Sequence, residues 1–198
     1  MNNKKGFFTT KNVVGLAVLV ALLVVLNLLS TVFKIITNVN LTLIPIVLGA
    51  LLMGVKGGLI LGLISGLMTF LFGVLGVDPF TNILFVNSPV LTFLTCVVKI
   101  TVAGAVAGWV YEIVKSKNKH VAVFIASAIV PVINTLIFIL GALTMYDTIA
   151  NNFSQDVLYF LVIVCAGVNF LIELGINLVV APAIYSVVKV IDKTSGDV

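Results

Sequence analysis

Long apolar runs fill most of the sequence, and short polar connections separate them. A helix needs about 20 apolar residues to cross the hydrocarbon core of a bilayer once. Six such segments can be drawn, the second of them short. They cover roughly residues 13–32, 41–53, 57–75, 90–114, 121–145 and 157–188. The pattern therefore predicts an all-α membrane protein built as a six-transmembrane-helix bundle.

Composition supports this class. The chain has 198 residues, of which 61% are hydrophobic and 9% are charged. Soluble domains carry about 25% charged residues. Because no stretch is long and polar enough to fold in water by itself, we expect residues 1–198 to form a single integral membrane domain.

The lysines predict an orientation. Eleven lysines and no arginine account for the basic side of a net charge of +4. With six crossings, nine lysines fall on one side of the membrane, Lys34 falls on the other, and Lys99 lies within a segment. Cytoplasmic loops of membrane proteins are enriched in lysine and arginine. Both termini are therefore predicted to be cytoplasmic, and the basic surplus indicates loop orientation rather than nucleic-acid binding.

The last segment carries a polar stripe made of Asn169, Glu173 and Asn177. Helix positions four apart share a face, so the three side chains should lie one above another. A carboxylate inside a membrane costs several kcal/mol unless it is paired, protonated or in contact with water. The stripe must therefore face other helices or a cavity.

Three segments place polar groups at one depth. In each segment one polar residue lies fifteen or sixteen positions from the lysine at the predicted cytoplasmic end. These residues are Lys99, Asn134 and Glu173. At 1.5 Å per residue this is roughly 23 Å, which is the outer half of the membrane core. Thr95 shares the face of Lys99. We therefore predict a substrate pocket between the last three helices; a structural ion pair between Lys99 and Glu173 is the alternative.

The sequence offers little for catalysis. It contains no Gly-x-x-x-x-Gly-Lys-Ser/Thr phosphate loop, its single histidine, His120, lies among lysines, and it has no Ser/His or Cys/His pair. Cys96 and Cys165 are isolated in apolar segments, as buried free thiols are. We expect neither an enzyme nor a metal or cofactor site.

Two further patterns concern packing. Glycines recur every four residues at Gly58, Gly62 and Gly66 and again at Gly104 and Gly108, a spacing that lets membrane helices approach closely. Tight packing is the favoured interpretation, and a moving interface is the alternative. The connection at 76–88 has an apolar middle between two turn-prone ends. It either folds back over a cavity or lies on the bilayer surface.

The order of several short motifs resembles a known family. These motifs are Ala17-x-x-x-Ala21 in the first segment, Ile44-Pro45-Ile46-Val47-Leu48-Gly49-Ala50 with Gly54-Val55-Lys56-Gly57-Gly58, Asn134-Thr135-Leu136-Ile137-Phe138, and Asn169-x-x-Ile172-Glu173-x-x-x-Asn177. Over nearly its whole length the chain is similar to the membrane-embedded substrate-binding subunits, or S components, of energy-coupling factor (ECF) vitamin transporters.

The resemblance implies a function. It implies a six-helix bundle in the cell membrane of a prokaryote that binds a vitamin near the outer face, under loops 1/2 and 3/4. It also implies that the pair Ala17 and Ala21 packs on a transmembrane coupling subunit, which connects to two ATPase subunits. The substrate-binding residues on this interpretation are Lys99, Asn134, Asn169, Glu173, Asn177 and Thr95. A self-contained secondary transporter or channel, and an intramembrane enzyme or structural protein, are the alternatives.

The substrate is less defined than the class. The motifs are closest to the riboflavin and pantothenate branch and lack the aromatic-rich pattern of the thiamine branch. If Lys99 is held by Glu173, the pocket is neutral and suits a ring-bearing ligand such as riboflavin. If Lys99 points into the pocket, a carboxylate such as that of pantothenate fits. Because the sequence indicates few aromatic residues in the pocket, we expect pantothenate.

Overall fold

The computed structural model describes residues 9–33 and 40–196, and the regular elements within these ranges are all helical. They are α1 (Thr10–Phe33), α2 (Leu43–Val74), α3 (Pro79–Asn87), α4 (Pro89–Val114), α5 (Lys119–Leu143), α6 (Tyr146–Asn152), α7 (Val157–Tyr159), a π-helical segment (Phe160–Gly167) and α8 (Val168–Gly196). The predicted positions of Lys4, Lys5 and Lys34 lie outside the described residues.

Five of the helices in the described ranges are long and apolar enough to cross a membrane. This confirms an all-α, multi-pass membrane protein, but it is not the predicted count of six. The difference arises in α2, because this one element contains both the second and the third predicted segments.

The chain reverses direction inside α2. Gly54 has φ 66° and ψ −158°, a backbone conformation that residues with a Cβ atom rarely adopt. A Cβ built on Gly58 would lie 3.1 Å from the Cβ of Ala50, although eight residues of straight helix would separate these positions by about 12 Å. Residues 43–53 and 55–74 therefore form a helical hairpin with Gly54 at its tip. The first arm is about 16 Å long, roughly half of the membrane core.

Glycines join the second arm of this hairpin to α4. A Cβ built at Gly62 would lie 2.6 Å from the carbonyl oxygen of Ile100, and one built at Gly66 would lie 2.7 Å from the Cα of Val97. The contacting positions on α4 have decreasing residue numbers as those on α2 increase, so the two helices are antiparallel. Their backbones touch, which confirms that the regular glycine spacing serves tight packing.

The connection at 76–88 is mostly helical rather than an extended loop. Asp78 caps α3, because its Oδ1 accepts the backbone N–H of Thr81 at 3.3 Å, and Pro79 supplies the fixed φ that suits a first helical position. Thr81 and Leu84 are buried. The segment therefore packs down onto the bundle.

The predicted sixth segment is not one regular helix. It begins with α7, continues through eight residues of π-helix and becomes α-helical again only at Val168. π-helical turns are rare and often occur at functional sites. Nothing in the residue pattern predicted this change of winding.

Two apolar clusters organise the bundle. The larger cluster joins α1, α2, α4, α5 and α8, whereas the smaller one joins α3, α5, α6, α7 and the π-helical segment. At the end of the larger cluster, Val55 of the hairpin tip lies beside Gly108, and His120 stacks on Tyr185 with 3.7 Å between ring centroids. We call this end, which carries Lys56, Lys115, Lys119 and Lys189, the basic end. The smaller cluster lies at the opposite end.

Candidate functional site

A cavity of about 150 Å³ lies in the part of the bundle away from the basic end. A cavity can hold a water once it exceeds about 10–15 Å³, so this cavity has room for much more than a single water molecule. Side chains from α1, α2, α3, α4, α5, the π-helical segment and α8 line it. They belong to Asn27, Asn40, Thr69, Phe72, Asp78, Phe80, Thr81, Lys99, Asn134, Thr135, Phe138, Cys165, Ala166, Asn169 and Glu173.

Four of the six predicted substrate-binding residues line this one cavity: Lys99, Asn134, Asn169 and Glu173. They come from three helices: Lys99 lies on α4, Asn134 on α5, and Asn169 and Glu173 lie one turn apart on α8. Asn134 and Glu173 are buried, with 7% and 6% of their surface exposed. Polar groups so deeply buried are expected to have partners, so their convergence on a cavity indicates a site for a polar ligand.

The other two predicted residues lie outside the lining. Asn177 is only 1% exposed, and its Nδ2 donates to the main-chain carbonyl of Glu173 at 2.8 Å. It therefore continues the polar stripe one turn below the cavity. Thr95 packs against Gly141, on the side of α4 that meets α5. Both residues pack against neighbouring parts of the bundle instead of facing the cavity.

The sequence left open whether Lys99 and Glu173 pair with each other, and in the structure the two side chains contact different groups. Lys99 Nζ lies 5.0 Å from the centroid of the Phe138 ring, within the range of a cation–π contact. Glu173 Oε1 accepts the backbone N–H of Asn40 at 2.9 Å. A basic and an acidic side chain thus face one cavity, and each contacts a group that carries no net charge.

Two amides differ in how they are satisfied. Asn169 Nδ2 donates to the Cys165 carbonyl oxygen at 2.8 Å, at the end of the π-helical segment. Asn134 Oδ1 is buried without a hydrogen-bond partner among the described residues. A buried acceptor left unpaired costs about 1–3 kcal/mol. Because Asn134 lines the cavity, a ligand that donates a hydrogen bond there would remove this cost.

Sequence reasoning missed most of the apolar wall. Phe72, Phe80 and Phe138 line the cavity, so the expectation of few aromatic residues is wrong. Phe138 had a detectable signal, because it follows Asn134 by four residues and shares its helix face. Phe80 had none, since only the packing of α3 brings it to the site.

The connection containing α3 closes one side of the cavity. Asp78, Phe80 and Thr81 all belong to its lining. Of the two interpretations of this apolar connection, the structure therefore supports the one in which it folds back over a cavity.

The predicted partner surface is on the outside of the bundle. Ala17 and Ala21 are exposed on α1, whereas Leu19 and Leu23 on the other face are buried. Small exposed residues four apart leave room for the backbone of another helix.

In the described part of the chain, no three His, Cys, Asp or Glu side chains come together as metal ligands would.

Fold and cavity together define a multi-pass membrane protein with a partly open, polar-lined cavity inside its helical bundle. The chain belongs to the family described as ECF transporter, substrate-specific component, whose model matches residues 11–185. It is thus a transport subunit that works with other ECF transporter components on a small-molecule substrate, as the resemblance of its motifs implied. No curated protein and no solved structure matches the chain significantly.

Proposed function

We propose that this chain is the pantothenate-binding subunit of an ECF transporter in a prokaryotic cell membrane. The observation that carries the proposal is the Lys99 ammonium, which lines a partly open cavity with several polar residues inside an apolar bundle. A cation at such a depth is costly and usually marks a functional site. A ligand carboxylate would supply the opposite charge.

The rest of the lining suits the remainder of that ligand. Pantothenate carries an amide and two hydroxyl groups besides its carboxylate. Asn134 and Asn169 can each donate and accept hydrogen bonds, and the Glu173 carboxylate accepts them.

Riboflavin is the second candidate, and the aromatic wall favours it. Phe72, Phe80 and Phe138 offer ring faces on which a flat ligand could stack. The two candidates make opposite demands on Lys99: pantothenate needs its charge, whereas an uncharged flavin ring does not.

We propose the following division of labour for transport. The chain holds the vitamin, the exposed face of Ala17 and Ala21 contacts a transmembrane coupling subunit, and two ATPase subunits bound to that subunit supply the energy. Six crossings with both termini in the cytoplasm place the basic end inside and the cavity nearer the outside, where a substrate arrives. The positive charge of the basic end supports this orientation.

Calorimetry on the purified protein tests the substrate. Pantothenate should bind, and its alcohol analogue pantothenol, which has a hydroxymethyl group in place of the carboxylate, should bind at least about tenfold more weakly because it cannot form an ion pair with Lys99. Tight binding of riboflavin with no response to pantothenate would reject the proposed substrate. Uptake in cells with and without the shared ATPase subunits tests the machinery separately.

A further inference from the structure

The contact between Lys99 and Phe138 links the charged and aromatic walls of the cavity. Both residues line it, and Lys99 Nζ lies 5.0 Å from the ring centroid. The negative face of an aromatic ring attracts a cation. The ammonium is thus stabilised where it stands, before any ligand arrives.

The ring itself is held in place by other rings. Phe80 of α3 lies 6.0 Å from Phe138, measured between centroids, and 5.1 Å from Phe153. Phe153 in turn stacks on Phe160 of the π-helical segment at 5.4 Å. Phe80, itself packed against Phe153 and Phe160, therefore supports the Phe138 ring, and through it the position of the Lys99 head group.

A ring and a carboxylate stabilise a lysine in different ways. A carboxylate neutralises the ammonium and occupies its N–H donors, so an anionic ligand would have to displace it. A ring face leaves the net charge in place and takes up no donor by a conventional hydrogen bond. Glu173, the carboxylate lining the same cavity, is meanwhile engaged by the backbone N–H of Asn40.

We propose that Phe138 is a positioning residue that makes the site selective for anionic ligands by holding the Lys99 ammonium towards the cavity and away from Glu173. Without the ring, the ammonium turns towards Glu173, and its attraction for a ligand carboxylate falls. This inference rests on the proposed function, since it takes the ligand to be a carboxylate such as pantothenate.

A double-mutant cycle tests it. The measured quantity is the ratio of affinities for pantothenate and pantothenol in the wild type, Phe138→Leu, Lys99→Met and the double variant. Phe138→Leu should lower the ratio about three- to tenfold, the size expected from one cation–π contact. In the Lys99→Met background the same substitution should leave the ratio unchanged, because the charge it acts through is gone.

Two controls separate this role from loss of wall or fold. Phe138→Tyr keeps the ring and should keep the ratio. Phe72→Leu removes a different cavity-lining ring and should weaken both ligands equally. An equal loss for both ligands in Phe138→Leu, or a change of ratio that persists without Lys99, would overturn the inference.

A measurement without ligand keeps the inference separate from the choice of vitamin. The side-chain proton resonances of Lys99 should show a ring-current shift in the ligand-free protein, which disappears in Phe138→Leu and persists in Phe72→Leu. If neither vitamin binds the wild type, the proposed function fails, but this shift still shows whether Lys99 contacts the Phe138 ring. An unshifted Lys99 resonance would refute the positioning role.

Discussion

The backbone N–H of Asn40 donates to the Glu173 carboxylate at 2.9 Å, although 133 positions separate the two residues in the sequence. The Asn40 side chain also accepts the backbone N–H of Thr42 at 3.1 Å, and the Thr42 hydroxyl lies 2.9 Å from that of Ser65. Glu173 thus anchors the start of α2 to α8 beside the cavity. The carboxylate organises the wall of the site as well as facing its interior.

This anchor predicts how the ligand is released. Glu173→Ala removes the acceptor for Asn40 and should speed ligand dissociation about tenfold or more, because hydrogen bonds to charged groups contribute about 1.5–3 kcal/mol. Glu173→Gln keeps an acceptor oxygen and should dissociate at a rate between those of the wild type and Glu173→Ala. The measurement is the release of radiolabelled ligand after dilution. Identical rates for both variants would show that the anchor does not retain the ligand.

Lys99 should dominate affinity for the carboxylate. Lys99→Met should weaken pantothenate binding by about 2–5 kcal/mol, the usual cost of removing one partner of a buried charge pair. Calorimetry measures it directly. Thr95→Val provides the control, because Thr95 is one turn away on the same helix but packs against Gly141 outside the cavity. The affinity of this variant for pantothenate should stay near that of the wild type. Unchanged affinity in Lys99→Met would remove Lys99 from the site.

The exposed alanine pair should matter for transport and not for binding. Replacing Ala17 and Ala21 together by Leu fills the space that a partner helix needs, so assembly with the coupling subunit and uptake should both be lost. Vitamin affinity should hardly change, since the pair points away from the cavity. Val179→Leu, at a position 79% exposed on α8, is the matched control and should transport normally. Lost binding with preserved assembly contradicts this assignment.

The contact between α2 and α4 predicts opposite effects of two glycine replacements. Gly62→Ala should destabilise the protein by about 1–3 kcal/mol, because its Cβ would lie 2.6 Å from the Ile100 carbonyl oxygen and neither backbone can yield easily. Gly175→Ala should be neutral or stabilising by about 0.5–1 kcal/mol, since open space surrounds that position within a helix. Thermal unfolding in detergent compares them. Equal melting temperatures would argue against backbone contact at Gly62.

The hairpin at Gly54 predicts which residues share a side of the membrane. In a background without Cys96 and Cys165, cysteines at Lys56 and Lys117 should react only with reagents supplied from the cytoplasm. A cysteine at Val77, which is 44% exposed, should react from outside. A straight α2 would bury Lys56 in the membrane and protect it from both sides. Labelling of positions 77 and 117 from the same side would refute the six-crossing topology.

Much of the site could be predicted because a membrane makes polar residues conspicuous. Lys99, Asn134, Asn169 and Glu173 stand out in apolar segments, and the fixed rise of a helix converts sequence distance into depth. The same reasoning wrongly added Asn177 and Thr95 to the cavity lining. Periodicity identifies the helix face and the height of a residue, but not the width of the gap between two helices. That gap depends on the side chains packed from both sides.

The sequence by itself determined the class of the protein and the close contact of its glycine-bearing helices, since each follows from local pattern and helix geometry. Only the tertiary structure decided that α2 turns back at Gly54, that α3 brings Phe80 to the cavity, and that Lys99 and Glu173 have separate neighbours. The physical reason is that these features depend on contacts between residues far apart in the chain. The hydrogen bond from Asn40 to Glu173 forms only once the start of α2 has packed beside α8.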